Sequence, residues 1–177
     1  MKNIVLIGMS GVGKTSVGKY ISNRLNIEFQ DTDDIILKYT GETIDYIFKK
    51  YGEDYFRHLE KQAIIETSSK DGVIISTGGG AILKTRNRKV LKDNGVVFFL
   101  NADVSTLVSN ILSSTSSKGH RPLLDMDNLY NSISKLYAER YELYSITADH
   151  IINVDNKSIE EIGNEIIFIF NQYIYCS

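Results

Sequence analysis

Gly8-Met9-Ser10-Gly11-Val12-Gly13-Lys14-Thr15 is the stretch that decides the fold of this chain. It matches every fixed position of the phosphate-binding loop pattern G-x-x-x-x-G-K-[ST]. The apolar run Asn3-Ile4-Val5-Leu6-Ile7 precedes it, and apolar residues recur every four positions after it, at Val17, Ile21 and Leu25. This context predicts a buried strand, a phosphate-binding loop and a helix whose positive N-terminal end faces the bound phosphate.

The side chains of the loop have distinct expected tasks. Lys14 is expected to reach the β- and γ-phosphates of a nucleoside triphosphate, and the Thr15 hydroxyl is expected to ligate Mg²⁺. The glycines let backbone N–H groups point at phosphate oxygens. The predicted ATP-binding residues of this stretch are Gly11, Val12, Gly13, Lys14, Thr15 and Ser16.

The composition is typical of a single globular domain. The chain has 177 residues, of which 42% are hydrophobic and 24% charged, so residues 1–177 can form one domain with a real core. A net charge of −2 gives no electrostatic reason to expect nucleic acid or a membrane surface as a partner. The single cysteine, Cys176, excludes an internal disulfide and fits a reducing cytoplasm. No signal peptide is expected, because Met1-Lys2 leads directly into the first strand.

Five short apolar runs alternate with helical patterns along the chain. The runs cover residues 3–7, 27–29, 73–75, 96–100 and 151–154, with Gly52 expected to interrupt one helical pattern. This alternation predicts an α/β fold with a parallel sheet, in which ligands gather at the carboxyl ends of the strands. The phosphate loop, Asp31-Thr32-Asp33-Asp34 and Thr77-Gly78-Gly79-Gly80 all follow strands directly, so we expect them to meet at one edge of the sheet.

Six stretches, in their order and spacing, resemble the shikimate kinase family from residue 4 to about 165. They are Gly11–Ser16, Asp31-Thr32-Asp33, Gly52-Glu53 with Phe56-Arg57-His58-Leu59-Glu60, Gly78-Gly79-Gly80, Arg121-Pro122-Leu123-Leu124, and Glu139-Arg140 with Tyr144.

The resemblance implies a three-layer P-loop kinase fold. Its five-stranded parallel sheet would have the order 2-3-1-4-5, with helices on both faces, a substrate-binding helical region at about 33–61 and a mobile lid at about 113–125. It also implies transfer of the ATP γ-phosphoryl group to the 3-hydroxyl of shikimate, with Mg²⁺ as cofactor, in aromatic amino-acid biosynthesis. We expect a cytoplasmic monomer.

The acceptor site implied by the resemblance suits a hydroxylated ring that carries a carboxylate. Arg57 and Arg140 are expected to bind the carboxylate, because the planar guanidinium fork matches it. Arg140 lies nearly two helical turns beyond Ile133 and therefore projects from the apolar side of its helix. Asp33 is expected to orient the attacking hydroxyl first and to act as its base second.

The remaining predicted site residues surround the phosphates. Asp31 is expected to hold a water of the Mg²⁺ shell, although an acidic run can also cap a helix, and Asp34 is the expected cap. Gly78, Gly79 and Gly80 would hold the substrate, and Arg121 in the lid would offset charge on the phosphates. Lys157, after the last strand, would border the adenine.

Two alternatives stay open at the level of sequence. A gluconate-kinase-like enzyme would share the fold and differ in its acceptor site. A nucleotide-binding regulator or non-catalytic paralogue would keep the phosphate loop and lose acceptor residues, but the main acceptor residues are all present in this chain.

The chain departs from the family at one lid position. Many members carry an arginine that stacks on adenine seven residues before the lid arginine, where this chain has Ser114. Serine makes no stacking contact, which contributes about 0.5–2 kcal/mol where it forms. We expect Ser114→Arg to tighten ATP binding several-fold in titrations and to leave shikimate affinity nearly unchanged. An unchanged ATP affinity would show that residue 114 does not reach the base.

Overall fold

The computed structural model of the protein describes residues 2–114, 123–125 and 127–175, which contain five strands and seven α-helices. The strands are β1 (Asn3–Ile7), β2 (Phe29–Asp31), β3 (Ile74–Ser76), β4 (Gly95–Asn101) and β5 (His150–Asn153). The helices are α1 (Lys14–Leu25), α2 (Thr32–Thr40), α3 (Ile44–Ser68), α4 (Thr85–Asn94), α5 (Val104–Ser114), α6 (Leu129–Thr147) and α7 (Ile159–Tyr175), and a short 3-10 helix covers Ala81–Leu83.

β1 lies at the centre of the sheet, and all five of its residues are buried. The strand order is β2-β3-β1-β4-β5 and every neighbouring pair is parallel, which confirms the predicted order. The residues from Ile4 to Ile7 and from Val97 to Leu100 are fully buried. Strands that are covered on both faces need such continuous apolar runs.

The handedness of the crossovers explains the three layers. The connection from β1 to β2 runs one way along the sheet, and the connection from β3 to β4 runs the other way. Right-handed crossovers therefore place α1 and α4 on opposite faces. α7 packs against α1, whereas α6 joins α4 against β4.

Two local features differ from the sequence predictions. The cap of α2 is Asp31, whose side chain accepts a hydrogen bond from the Asp33 N–H, and not Asp34, because β2 ends at Asp31 and the helix starts at the next residue. α4 was not predicted, because half of its residues are charged and it buries little besides Asn87 and Leu91. Gly52, with φ 84° and ψ 172°, interrupts the helical backbone between two helical stretches of α3, as predicted.

No helix in the described ranges is both long enough and apolar enough to cross a bilayer. The predicted lid at about 113–125 includes residues 115–122, which lie outside the described residues, as does the side chain of Ser114.

Candidate active site

The carboxyl ends of β1, β2 and β3 open into one cavity of about 1250 Å³. The sequence-predicted residues that line it are Gly11, Val12, Gly13, Lys14, Thr15, Ser16, Asp31, Asp33, Arg57, Gly78, Gly79, Gly80, Arg140 and Lys157. The structure therefore brings together the predicted nucleotide and acceptor residues. Arg121 lies outside the described residues.

The phosphate loop needs glycine where its backbone turns and where α5 approaches it. Gly13 has φ 96° immediately before α1, a conformation that disfavours other residues. A Cβ on Gly11 would lie 2.7 Å from Cγ1 of Ile111. The Lys14 side chain is 7% exposed, and its Nζ donates to the carbonyl oxygens of Gly8 and Met9 at 2.8 and 2.9 Å. The ammonium is thus held within the loop.

Asp31 connects the loop to the neighbouring strands. Its Oδ2 accepts hydrogen bonds from Thr15 Oγ1 at 2.9 Å and from Ser76 Oγ at 3.0 Å. Ser76 was not among the predicted site residues, but it is the last residue of β3 and pairs in register with Asp31. The sheet register is therefore the signal that could have identified it.

The donor chemistry around Asp31 fits Mg²⁺. Groups of three or more His, Cys, Asp or Glu that could hold a metal are absent from the described residues. Mg²⁺ nevertheless prefers oxygen, keeps several waters and uses few protein ligands when it binds phosphates. The Thr15 hydroxyl and the Asp31 carboxylate are an oxygen pair of this kind.

Asp33 is a half-buried carboxyl group at the centre of the cavity. Its Oδ1 is shielded from solvent and accepts no hydrogen bond from the described residues. Burial raises the pKa of Asp33 to about 7, and the negative charges of Asp31 and Glu60 add to the shift. This oxygen is suited to accept a hydrogen bond from a ligand hydroxyl.

Arg57 is held from two sides by carboxylates of its own helix. Its Nε and Nη2 donate to Glu53 Oε1 at 3.1 and 2.9 Å, and its Nη1 donates to both carboxylate oxygens of Glu60 at 3.1 and 2.9 Å. Glu60 has no exposed surface, and burial raises its pKa although Arg57 opposes the shift. Both carboxylates lie in a sequence stretch that resembles the family, but neither was assigned a role from sequence.

The three glycines leave room for the charged side chains. A Cβ on Gly78 would lie 2.9 Å from Asp33 Oδ1 and 3.0 Å from Glu60 Oε1. A Cβ on Gly80 would lie 2.2 Å from Nη1 and 2.5 Å from Nη2 of Arg57. Gly80 has φ −98°, which any residue adopts, so its requirement is for space and not for an unusual backbone.

Arg140 approaches the same glycines from α6. Its side chain is 8% exposed, and Nη1 donates to the Gly79 carbonyl oxygen at 3.3 Å. Together, Arg57 and Arg140 place two guanidinium groups beside the triple glycine. This is an arrangement suited to a carboxylate.

Lys157, in the loop after β5, also lines the cavity. Its Nζ pairs with Glu165 of α7 at 2.7 Å. Asn110 of α5 lines the cavity as well and donates from Nδ2 to the Gly11 carbonyl oxygen at 2.9 Å. A role for Asn110 was not predicted, since an isolated asparagine in a helix carries no motif.

Burial of the Asp33 carboxyl predicts a pH-dependent stability. The folded protein keeps this proton up to about pH 7, whereas the ordinary pKa of an aspartate is 3.8. Unfolding therefore releases a proton between these values, and the contribution of Asp33 to stability falls as the pH rises. Without nucleotide or metal, we expect Asp33→Asn to exceed the wild type in free energy of unfolding by on the order of 1–3 kcal/mol at pH 8 and by much less at pH 5.

Urea denaturation at the two pH values measures this difference. Asp34→Asn, in the same helical turn and exposed, is the matched control and should show no such change. An equal effect of Asp33→Asn at both pH values would contradict the burial argument.

Comparisons with known proteins identify relatives of this chain. A family model for shikimate kinase matches residues 10–170. The chain is 42% identical over 167 residues to the shikimate kinase of Caldanaerobacter subterraneus subsp. tengcongensis, and the match covers 94% of this chain and 95% of the relative.

Solved structures extend the comparison to the fold. A shikimate kinase from Acinetobacter baumannii in complex with shikimate superposes with a TM-score of 0.91 and 32% identity, covering 98% of this chain and 94% of the other. A gluconokinase from Sinorhizobium meliloti 1021 superposes with a TM-score of 0.60 and 18% identity, covering 99% and 97%, which indicates a common fold alone. Because the family model matches most of its length and a shikimate kinase is 42% identical to it, the chain belongs to the shikimate kinase family.

Proposed function

We propose that the protein transfers the γ-phosphoryl group of ATP to the 3-hydroxyl of shikimate, giving shikimate 3-phosphate and ADP. The observation that carries this proposal is the convergence of a complete phosphate loop, two buried arginines and a shielded aspartate on one cavity. The product belongs to aromatic amino-acid biosynthesis, as in other members of the family.

The acceptor would be held by its charge and its hydroxyl groups. Arg57 and Arg140 bind the ring carboxylate, and the Gly79 backbone lies against the ring. Asp33 accepts a hydrogen bond from the attacking hydroxyl and so sets its direction. The buried Glu60 keeps the Arg57 guanidinium in place, which means that the carboxylate site is formed before the substrate arrives.

The reaction needs positioning and charge neutralisation more than strong basicity. The acceptor oxygen forms a bond to the γ-phosphorus while the bond to the β–γ bridging oxygen breaks, and the hydroxyl proton passes to Asp33. Lys14 moves from the loop carbonyls to the phosphates and offsets their charge. Arg121, predicted from sequence alone, would offset charge on the bridging and γ-oxygens.

We propose Mg²⁺ as the cofactor, with Thr15 as a ligand and Asp31 holding a water of its shell. When bound, Mg²⁺ would neutralise charge on the phosphate oxygens. The Asp31 carboxylate is held in place for this role, because it accepts hydrogen bonds from the Ser76 hydroxyl and the Asp33 N–H. The single-domain, monomeric and cytoplasmic assignments stay predictions.

Gly80→Ala tests whether space beside Arg57 controls acceptor binding. The added methyl group would clash with the guanidinium, so Arg57 must move away from its position between the two carboxylates. We expect the KM for shikimate to rise at least about tenfold, the scale of a perturbed charged hydrogen bond, with little change in the KM for ATP.

Gly163→Ala is the matched control for this clash. A Cβ there would lie 2.3 Å from the Tyr20 ring, between α7 and α1, and neither Gly163 nor Tyr20 lines the cavity. It should lower the melting temperature without a selective effect on shikimate. If Gly80→Ala leaves the KM for shikimate unchanged, Arg57 does not bind the acceptor as proposed.

Lys14→Met tests the phosphate loop and the reaction together. Release of ADP is measured with ATP and Mg²⁺ in the presence of shikimate, gluconate or a nucleoside monophosphate. We expect turnover with shikimate only, reduced roughly 10²–10³-fold in Lys14→Met, the scale of one lost electrostatic donor. Turnover with gluconate and not shikimate would contradict the proposed function, and a Lys14→Met variant with near wild-type turnover would contradict the role of the loop.

A further inference from the structure

Tyr144 of α6 is a buried tyrosine whose hydroxyl reaches the active site from behind. The side chain has no exposed surface, and its ring stacks on Phe99 of β4 with centroids 4.8 Å apart and an interplanar angle of 17°. Its hydroxyl donates a hydrogen bond to the Gly79 carbonyl oxygen at 2.5 Å. The ring is therefore part of the core, while its polar end contacts the middle glycine of the acceptor site.

The Gly79 carbonyl oxygen has two side-chain donors, both from α6. Arg140 donates from Nη1 at 3.3 Å, one helical turn before Tyr144. The Tyr144 oxygen also lies 3.7 Å from the sulfur of Met9 in the phosphate loop. One phenol thus contacts the acceptor glycine and the phosphate loop, and shares its acceptor atom with an arginine of the carboxylate site.

The protonation state of Tyr144 suits a permanent donor. Burial raises the pKa of its phenol, so the group stays neutral over the working pH range. A neutral phenol can donate only one hydrogen bond, and Gly79 receives it.

We propose that Tyr144 is a positioning residue for the acceptor, which fixes the Gly79 peptide and, through the shared carbonyl oxygen, the Arg140 guanidinium. With the carbonyl held from α6, the Gly79 peptide keeps one orientation toward the cavity. The phenol makes the shorter hydrogen bond to the Gly79 carbonyl oxygen, and Arg140 makes only a long one. The other N–H groups of Arg140 can therefore donate to a substrate carboxylate. The inference rests on the proposed function of the site.

Core packing alone does not account for a tyrosine at this position. Phenylalanine would supply the same ring against Phe99 and would avoid burying a hydroxyl group. Only the hydroxyl reaches Gly79, so a variant that removes the oxygen and keeps the ring distinguishes the two contributions.

Tyr144→Phe removes the oxygen and keeps the ring. We expect the KM and the calorimetric Kd for shikimate to rise about three- to tenfold, the effect of one lost hydrogen bond. The KM for ATP should stay within about twofold of wild type, because no phosphate-loop donor is lost.

Tyr137→Phe is the matched control on the same helix. The Tyr137 hydroxyl donates to Asn101 Oδ1 at 2.8 Å, so this variant also loses one tyrosine hydrogen bond, and neither residue lines the cavity. Both variants should lose similar thermal stability, whereas only Tyr144→Phe should lose shikimate affinity.

Phe99→Leu tests the position of the Tyr144 hydroxyl in a second way. It removes the ring on which Tyr144 stacks and keeps the hydroxyl, so the KM for shikimate should rise by a smaller factor than in Tyr144→Phe. An unchanged shikimate KM in Tyr144→Phe, or an equal rise for ATP and shikimate, overturns the inference. Failure of the wild-type protein to phosphorylate shikimate would instead overturn the proposed function, so the two failures are distinguishable.

Discussion

The buried ion pair between Arg57 and Glu60 is the interaction on which the proposed acceptor half of the site depends. Glu60 has no exposed surface and Arg57 is 6% exposed, and taking two charges out of water is unfavourable unless their geometry is good. Both carboxylate oxygens of Glu60 accept from Nη1 of Arg57, and Nε and Nη2 donate to Glu53, so these hydrogen bonds offset part of that cost. The pair in turn requires glycine on the facing loop, since a Cβ on Gly78 or Gly80 would lie within about 3 Å of its atoms. The charged side chains therefore need glycine at these positions to pack, in addition to the role proposed for the glycines in substrate binding.

The sheet register connects this acceptor half to the nucleotide half. Asp31 and Ser76 pair across β2 and β3, and Leu6 pairs with Ser76 across β1 and β3. The ends of three strands are thereby aligned, and each continues into a segment of the site. Because Asp31 caps α2 and accepts from Thr15, one carboxylate fixes both the start of the acceptor helix and a side chain of the phosphate loop. The positions of the phosphate loop and of α2 relative to each other are thus set by backbone pairing at the strand ends.

Much of this arrangement could be predicted from sequence because it is carried by local patterns. The phosphate loop is contiguous, the strands are continuous apolar runs, and the rule that ligands gather at strand ends follows from parallel pairing. Resemblance to a family added the arginines and the strand order. Contacts between distant segments could not be predicted in this way: Ser76 beside Asp31, Glu60 beneath Gly78 and the Tyr144 hydroxyl on Gly79 depend on register and packing. Asp34 was the wrong helix cap because α2 already begins at Thr32, directly after β2, and α4 was not predicted because half of its residues are charged and only Asn87 and Leu91 are buried.

The central claim is that a preformed pair of guanidinium groups selects the substrate through its carboxylate. The most direct measurement is a comparison by calorimetry of shikimate with its methyl ester, which keeps the ring and the hydroxyls and removes the negative charge. The account predicts that the ester binds more weakly than shikimate by about 2–4 kcal/mol, the range for loss of one partner of a buried charged pair. Equal affinity of the acid and the ester would show that Arg57 and Arg140 serve only the fold, and would contradict the account.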